Sequence, residues 1–255
     1  MYQEILTRFK QGYRTIKFPE GPLPPLPEHL RGRPLFALDK CAPDCRLCAE
    51  VCPVAAIEPA TKALDLGKCL FCTDCVQACP AGAISFSRDY RLSVRRREDL
   101  LVSVEQQEMV LAAELERRLL KLFGRSLKLR QVSAGGCNAC EADVNVLSTI
   151  GWDLGRFGIQ VVASPRHADG LLITGPVTRN MELALLKTWE AVAEPKVVIV
   201  VGACAIAGGP YRGLAEVGDG VQKLPVDLYI PGCPPHPLTI LDGLLRLIGR
   251  IENRS

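Results

Sequence analysis

Two short runs of cysteine constrain this chain more than any other feature of its 255 residues. Residues 41–53 read CAPDCRLCAEVCP and residues 69–80 read CLFCTDCVQACP, each with four cysteines and a closing Cys-Pro. An offset of 27 carries Cys45 onto Cys72, Cys48 onto Cys75, Cys52 onto Cys79 and Pro53 onto Pro80. The match continues from Ala56 and Ile57 to Ala83 and Ile84, so the runs are an internal repeat. One extra residue stands between Cys41 and Cys45. Each proline keeps a helix from running on through the cysteine before it.

The second run fits the signature C-x-x-C-x-x-C-x-x-x-C-P without exception, and the first fits it from Cys45 onward. That signature resembles bacterial two-cluster ferredoxins, in which the fourth cysteine of each run serves the other cluster. The resemblance therefore implies one [4Fe–4S] cluster on Cys41, Cys45, Cys48 and Cys79, and a second on Cys69, Cys72, Cys75 and Cys52. The extra residue between Cys41 and Cys45 bears on the potential or stability of the first. Zinc usually takes two cysteine pairs with a longer spacer, a poorer match to four crowded cysteines twice over. A disulfide framework is poorer still. No apolar secretory core opens the sequence, and 12 cysteines in 255 residues fall below the share typical of such scaffolds.

The length allows one or two domains with a substantial core. Basic and acidic residues number 31 and 28, giving a net charge of +3. Residues 1–127 carry 19 against 16 and residues 128–255 carry 12 against 12, so neither half has the strong basic excess of a nucleic-acid partner. The one basic cluster, Arg95 to Arg97, reads as a solvated strand end or a docking patch. The longest apolar run, from Val197 through Ala207, is about half of what a spanning helix needs.

Taken in order, residues 1–33 form an N-terminal arm. An amphipathic helix is expected over about Gln3–Tyr13, followed by an extended stretch with five prolines between Pro22 and Pro34. That stretch reads equally as a spacer or as an arm laid over a partner. Residues 34–96 form the ferredoxin domain, of α+β class, starting with a short strand at Phe36–Asp39 and closing with a strand or hairpin over Ala83–Val94. Residues 97–126 read as a linker helix, with Leu111, Leu115, Leu119 and Leu120 on one face, a Glu114–Arg118 pair and Gly124 as its end.

From 127 to 255 the texture changes. Apolar strands are expected at Leu127–Val132, Gln160–Ala163, Gly170–Thr174, Lys196–Val201 and Val226–Ile230. They alternate with helices from near Asn138, over Met181–Ala193 and over Leu238–Ile251. This predicts an α/β domain whose parallel, flavodoxin-like sheet is covered on both faces, with its site beyond the strand C-termini. The other four cysteines obey that rule. Cys137 and Cys140 follow the first strand, Cys204 follows Val197–Val201, and Cys233 follows Val226–Ile230. Four thiols from three loops at one sheet edge describe a metal site, the alternative being buried structural thiols.

The segments GGCNACE (135–141), RFGIQVVASPRHAD (156–169), GPVTRNM (175–181), VGACAIAGG (201–209) and VDLYIPGCPP (226–235) carry a second resemblance. They are similar to the small subunit of membrane-bound group 4 [NiFe] hydrogenases of the formate hydrogenlyase type, a domain related to the proximal-cluster subunit of complex I. Residues 30–100 resemble the two-cluster subunit of the same complexes, so the chain looks like a fusion of the two. The resemblance implies a proximal [4Fe–4S] cluster on Cys137, Cys140, Cys204 and Cys233, hence three clusters on twelve cysteines, with no catalytic residue on this chain. It implies electron relay to or from a large [NiFe]-hydrogenase-like subunit, together with membrane-anchor subunits and a further electron-transfer or dehydrogenase subunit. It also implies a cytoplasmic location, peripheral to the membrane.

The C-N-A-C spacing is hydrogenase-like, since complex I has two adjacent cysteines there, while Ala139 stands where the hydrogenases commonly have glycine. The alternative is the same module in a nickel-free, complex I-like oxidoreductase. A free electron carrier is disfavoured by the second domain. Glu141 is a candidate for the partner interface, a proton path or a hydrogen bond, or is an exposed helix residue. Arg166 and His167 are candidates near the proximal cluster or partner. His236 reads as a loop residue, and no phosphate-binding loop predicts a nucleotide or flavin.

Overall fold

The computed structural model describes residues 2–42, 44–103, 109–218 and 220–251, and the sequence repeat returns in it as a repeat of backbone. Helix α1 (Tyr2–Gln11) is followed by an extended arm that leads into β1 (Pro34–Phe36). Then come α2 (Leu47–Glu50), β2 (Ile57–Glu58), β3 (Ala63–Asp65), α3 (Asp74–Gln77) and β4 (Ile84–Phe86). The bounds of α2 and α3 differ by 27 at both ends. The turns after them match too, with Ala55 N–H to the Cys52 carbonyl and Gly82 N–H to the Cys79 carbonyl, each 3.2 Å.

β1 pairs antiparallel with β4, and β2 with β3. The equivalent links Ala37 N–H to Ala83 carbonyl (2.9 Å) and Asp65 N–H to Ala56 carbonyl (2.8 Å) show where the extra residue goes. The acceptors are 27 apart and the donors 28, so the insertion is absorbed between Cys41 and Cys45 without displacing a strand. There Cys45 N–H turns back to the Ala42 carbonyl at 3.1 Å.

The expected linker helix is corrected. Residues 97–100 make a 3-10 turn, β5 (Leu101–Val102) adds to β3, and among the described residues of this stretch only α4 (Arg117–Phe123) is α-helical, ending at Gly124 as predicted. Leu100, Val102, Ala112 and Leu115 are all buried. The backbone here is spent on both halves of the molecule: Val102 pairs with Leu64, Ala112 N–H with the Ser93 carbonyl and Leu115 N–H with the Leu247 carbonyl. Groups used that way cannot join an i→i−4 ladder. Glu114 therefore lies outside the helix, and its carbonyl accepts from Arg95 (3.2 Å). The closing strand is shorter than expected, because Val94 bridges to Tyr229 instead of continuing β4.

The second half is built from β6 (Leu127–Ser133), α5 (Ala139–Val146), β7 (Ile159–Val161), β8 (Gly170–Thr174), α6 (Arg179–Ala191), β9 (Val197–Val201), α7 (Ala203–Ala207), β10 (Leu228–Ile230) and α8 (Pro237–Leu247). The sheet order is β10-β9-β8-β6-β7 and every pairing is parallel. This is the doubly wound, flavodoxin-like order, with its switch point between β6 and β8. All residues of β8 (GLLIT) and β9 (VVIVV) are buried, as strands covered on both faces must be.

Leu64, Leu66 and Leu100 share one apolar core with Leu171, Ile173, Val198 and Val200, so the two halves are packed together. From Ile16 onward the arm is fastened to both halves of its own chain. Ile16 N–H bonds the Gly151 carbonyl (2.8 Å), Arg156 clasps the carbonyls of Ile16 and Phe18 (2.7 and 3.0 Å), and Gly32 N–H bonds the Ser87 carbonyl (2.8 Å). Arg95, Arg96 and Arg97 pair with Asp227 (3.7 Å), Asp99 (2.6 Å) and Asp65 (2.7 Å), so each is paired within the chain, Arg96 through an exposed side chain.

Candidate electron-transfer centre

The twelve cysteines, all free thiols, fall into three groups. Cys41, Cys45 and Cys48 from the first run and Cys79 from the second line one cavity, walled by Phe36, Ile57 and Ile84. Cys52 is not in that wall. Lys62 is, and its ammonium reaches the Cys45 carbonyl at 2.5 Å. Burial pushes the Cys48 thiol up, Lys62 opposes this, and Cys41 and Cys45 push it further.

The second group assembles around Cys69 and Cys75. Burial drives Cys69 up to about 12, with Cys75, Cys52 and Cys72 adding to the rise. Burial likewise drives Cys75 up to about 11, with Cys72, Cys52 and Cys48 adding. Cys52 thus acts on thiols of the second run, while Cys79 lines the cavity of the first. Backbone N–H groups face the sulfurs: Ala56 to Cys52 (3.2 Å), Ala83 to Cys79 (3.2 Å) and Phe71 to Cys69 (3.3 Å). The first two are equivalent positions of the repeat. Phe71 holds a left-handed backbone (φ 55°), and its carbonyl accepts from Arg31 of the arm at 2.8 Å.

The third group lies at the C-terminal edge of the parallel sheet. Cys137 and Cys140 follow β6 at the switch point, Cys204 follows β9 and Cys233 follows β10. Burial pushes Cys140 far up, and Glu141, Cys204, Cys233 and Cys137 act in the same direction. Cys204 rises to about 11 from burial, then Cys233, Cys137 and Glu141. Two glycines make room for the sulfurs. A Cβ on Gly202 (φ 92°) would sit 2.5 Å from Cys140 Sγ, and one on Gly209 (φ 58°) 2.6 Å from Cys204 Sγ.

The groups are contiguous. Cys75 feels Cys48, which links the first two, and Cys233 feels Cys72, which links the second to the third. Four thiols that face one another repel once ionised, so each group calls for a cationic core to neutralise it. Among the described residues no three His, Cys, Asp or Glu side chains converge on a point that could hold a single metal ion. The first quartet instead lines one cavity with apolar walls, and backbone N–H groups face sulfurs of the first two groups, which suits iron–sulfur cubes there.

Glu141 is buried, not exposed, and its Oε1 accepts from Ser133 Oγ and Thr174 Oγ1, both at 2.6 Å. Burial alone would raise its carboxyl, but these two hydrogen bonds outweigh it and hold the group below the usual range. Ser133 and Thr174 end β6 and β8 on either side of the switch point; two polar residues closing apolar strands are the available signal for them. Arg166 and His167 are exposed in a 3-10 turn that precedes β8. A five-residue strand of roughly 16 Å separates that turn from the cysteine edge, so neither belongs to the third group. His236 caps α8, its Nδ1 accepting from Leu238 N–H at 3.1 Å, and it packs edge-on against Trp152.

Comparison with known proteins agrees with this geometry. Residues 137–247 match the model of the "NADH ubiquinone oxidoreductase, 20 Kd subunit" family, and residues 63–85 match a "4Fe-4S binding domain". The chain is 44% identical over 143 residues to formate hydrogenlyase subunit 7 of Escherichia coli, covering 56% of this chain and 56% of that protein. It therefore spans only about half the length of that relative. It is 39% identical to a probable membrane-bound hydrogenase subunit, mbhJ, of Pyrococcus furiosus, covering 54% of this chain and 84% of the relative. An NADH-quinone oxidoreductase subunit of Carboxydothermus hydrogenoformans is 43% identical, with 46% of this chain and 72% of the relative covered. The chain belongs to the 20 kDa subunit family of NADH ubiquinone oxidoreductase and the related hydrogenase subunits, and carries a 4Fe–4S binding domain in its N-terminal half.

Proposed function

We propose that this chain is the electron-transfer subunit of a membrane-associated [NiFe] hydrogenase of the formate hydrogenlyase type. In this reading residues 34–96 form a two-cluster module and residues 127–255 a proximal-cluster module. The observation that carries the reading is the placement of three cysteine groups, with Cys48 within electrostatic range of Cys75 and Cys72 of Cys233. The holding residues would be Cys41, Cys45, Cys48 and Cys79; Cys52, Cys69, Cys72 and Cys75; and Cys137, Cys140, Cys204 and Cys233. Each [4Fe–4S] cluster supplies a one-electron carrier whose potential is set by burial and by hydrogen bonds to sulfur.

The chain contributes the rest. Its thiols hold the carriers in register, Phe36, Ile57 and Ile84 exclude water from the first site, and the N–H groups of Ala56, Ala83 and Phe71 stabilise charge on sulfur. Exposed Cys137 and Cys233 mark the end that would meet a large catalytic subunit. All twelve cysteines are used by the three quartets, so nickel would belong to that partner. Among the described residues no helix is long and apolar enough to cross a membrane, and anchoring would come through other subunits. The identity to an NADH-quinone oxidoreductase subunit favours a second reading, the same relay in a nickel-free, complex I-like enzyme.

Anaerobic purification of the tagged chain with its partners, followed by metal analysis, separates these. About twelve irons per chain with nickel in the co-purifying large subunit supports the hydrogenase reading. The same iron without nickel supports the second, and about eight irons removes the third site.

Two substitutions probe that third site. Gly202→Ala places a methyl against Cys140 Sγ at a positive-φ, extended backbone conformation that costs L-residues about 1–3 kcal/mol. It is expected to lower bound iron by about a third, read as the iron-to-protein ratio. Glu141→Gln removes a buried negative charge beside Cys140 and is expected to raise the third cluster's midpoint potential by tens of millivolts, by redox titration. Because the carboxyl is held below its ordinary value, its ionised form is favoured above that value and lost only as pH falls through the depressed one. The wild-type potential should therefore gain no pH slope from Glu141 between about pH 6 and 8, which argues for a hydrogen-bonding role and against a proton relay, whose group needs a pKa near the working pH.

A further inference from the structure

Helix α1 has no buried residue, yet it is strongly amphipathic. Tyr2, Ile5, Leu6 and Phe9 are 75%, 53%, 40% and 82% exposed. At about 100° per residue these four fall within an arc of about 100°. Lys10 flanks one edge of the stripe and Arg8 the other, while Glu4 lies nearly opposite its centre. Tyr13 follows, 86% exposed, with the Arg8 guanidinium over its ring at 5.2 Å. Residues 2–17 carry four cations, Arg8, Lys10, Arg14 and Lys17, against one carboxylate, Glu4. The root of the helix is tied to the body: Thr15 Oγ1 donates to the Ile150 carbonyl (2.9 Å) and Ile16 N–H to that of Gly151 (2.8 Å). Ile150 is itself 77% exposed, so an apolar side chain stands beside that root.

We infer that α1 lies in the interface of an anionic lipid bilayer, with Tyr2, Ile5, Leu6 and Phe9 facing the acyl chains and Arg8 and Lys10 reaching the headgroups. The charge pattern selects this occupant. Long cationic side chains at both edges of an apolar stripe can bury their stems and keep their charges at a negative surface. In a protein groove those edges would need counter-charges supplied one by one. Ten residues span about 15 Å, too short to cross a bilayer and suited to lying in its plane. This chain would then touch the membrane directly and not only through partner subunits, whichever metal the partner holds.

Flotation of the full, iron-loaded chain with vesicles tests this. The wild type is expected to float with phosphatidylglycerol-containing vesicles, much less with pure phosphatidylcholine, and to be released by salt. The double variant Ile5→Glu/Phe9→Glu is expected to lose at least about tenfold in vesicle binding, given the apolar area withdrawn, with iron content unchanged because α1 makes no core contact. The variant Arg8→Gln/Lys10→Gln should lose the preference for phosphatidylglycerol while keeping its stripe. The inference is overturned if the wild type does not float, if both variants float as it does, or if they bind vesicles normally but lose a co-purifying subunit. Nickel content of the complex, which decides the hydrogenase reading, has no bearing on these outcomes.

Discussion

Replacing Cys52 by alanine is expected, on the proposed three-cluster reading, to abolish the cluster shared with Cys69, Cys72 and Cys75 and to spare the one on Cys41, Cys45 and Cys48. Chain order would suggest the opposite, since Cys52 closes the first run. The geometry crosses it over: Cys52 acts electrostatically on Cys69 and Cys75, whereas the cavity of the first group takes Cys79. Iron should fall from about twelve to about eight per chain, and one of the two ferredoxin-type signals should vanish from the low-temperature paramagnetic spectrum. In the proposed series the second group is the middle one, within electrostatic range of the first through Cys48 and of the third through Cys233. Electron passage along the chain should therefore fall to background even with both end sites filled. Cys79→Ala is the control. It should remove the first cluster, leave the middle and third in contact, and stop transfer only from donors that use the outer end. Equal loss of both clusters in Cys52→Ala would show that the two sites fold as one unit and would leave the crossing without support.

Much of this arrangement is legible in the residues. The repeat offset of 27 is legible in the sequence, and the paired helices and turns of the structure keep it because both copies face the same packing problem. Gly170–Thr174 and Val197–Val201 are readable as buried strands because near-continuous apolar runs fit a sheet covered on both sides. The stretch after Arg97 misleads, because its leucines have helical spacing. Spacing does not reveal that Leu64 and the carbonyls of Ser93 and Leu247 stand ready to pair with it. The Pro-rich arm is underdetermined for the same reason, its partners Gly151, Ser87 and Phe71 being remote in sequence. Glu141 draws notice in the sequence through its neighbour Cys140. That Ser133 and Thr174 neutralise its burial depends on two strand ends meeting, which only the sheet order provides.

The buried ion pair of α8 carries the largest expected effect on stability. Asp242 and Arg246, one helical turn apart, meet at 2.8 Å with side chains 2% and 5% exposed. Every residue of α8 from Leu238 to Leu247 is buried, and a Cβ on Gly243 would already collide with Ser93. No water can reach in to replace a lost partner without opening this packing. Burial raises the Asp242 carboxyl, and the hydrogen bond and charge of Arg246 only partly offset it, so the pair is held by its surroundings more than it holds them. Asp242→Ala removes the buried carboxylate that faces the Arg246 guanidinium, at a cost of about 3–5 kcal/mol. For a chain of this size that corresponds to a fall in thermal midpoint of roughly 10 °C, measured anaerobically on the iron-loaded protein. The double variant Asp242→Leu/Arg246→Met removes both charges and refills the volume, and is expected to recover most of the loss. If the single variant unfolds at the wild-type temperature, the guanidinium has found solvent, and α8 is less firmly packed against Ser93 than its burial implies. If the double variant is as unstable as the single one, the pair contributes through geometry that apolar side chains cannot reproduce, fixing the register of α8 beneath the loop that carries Cys233.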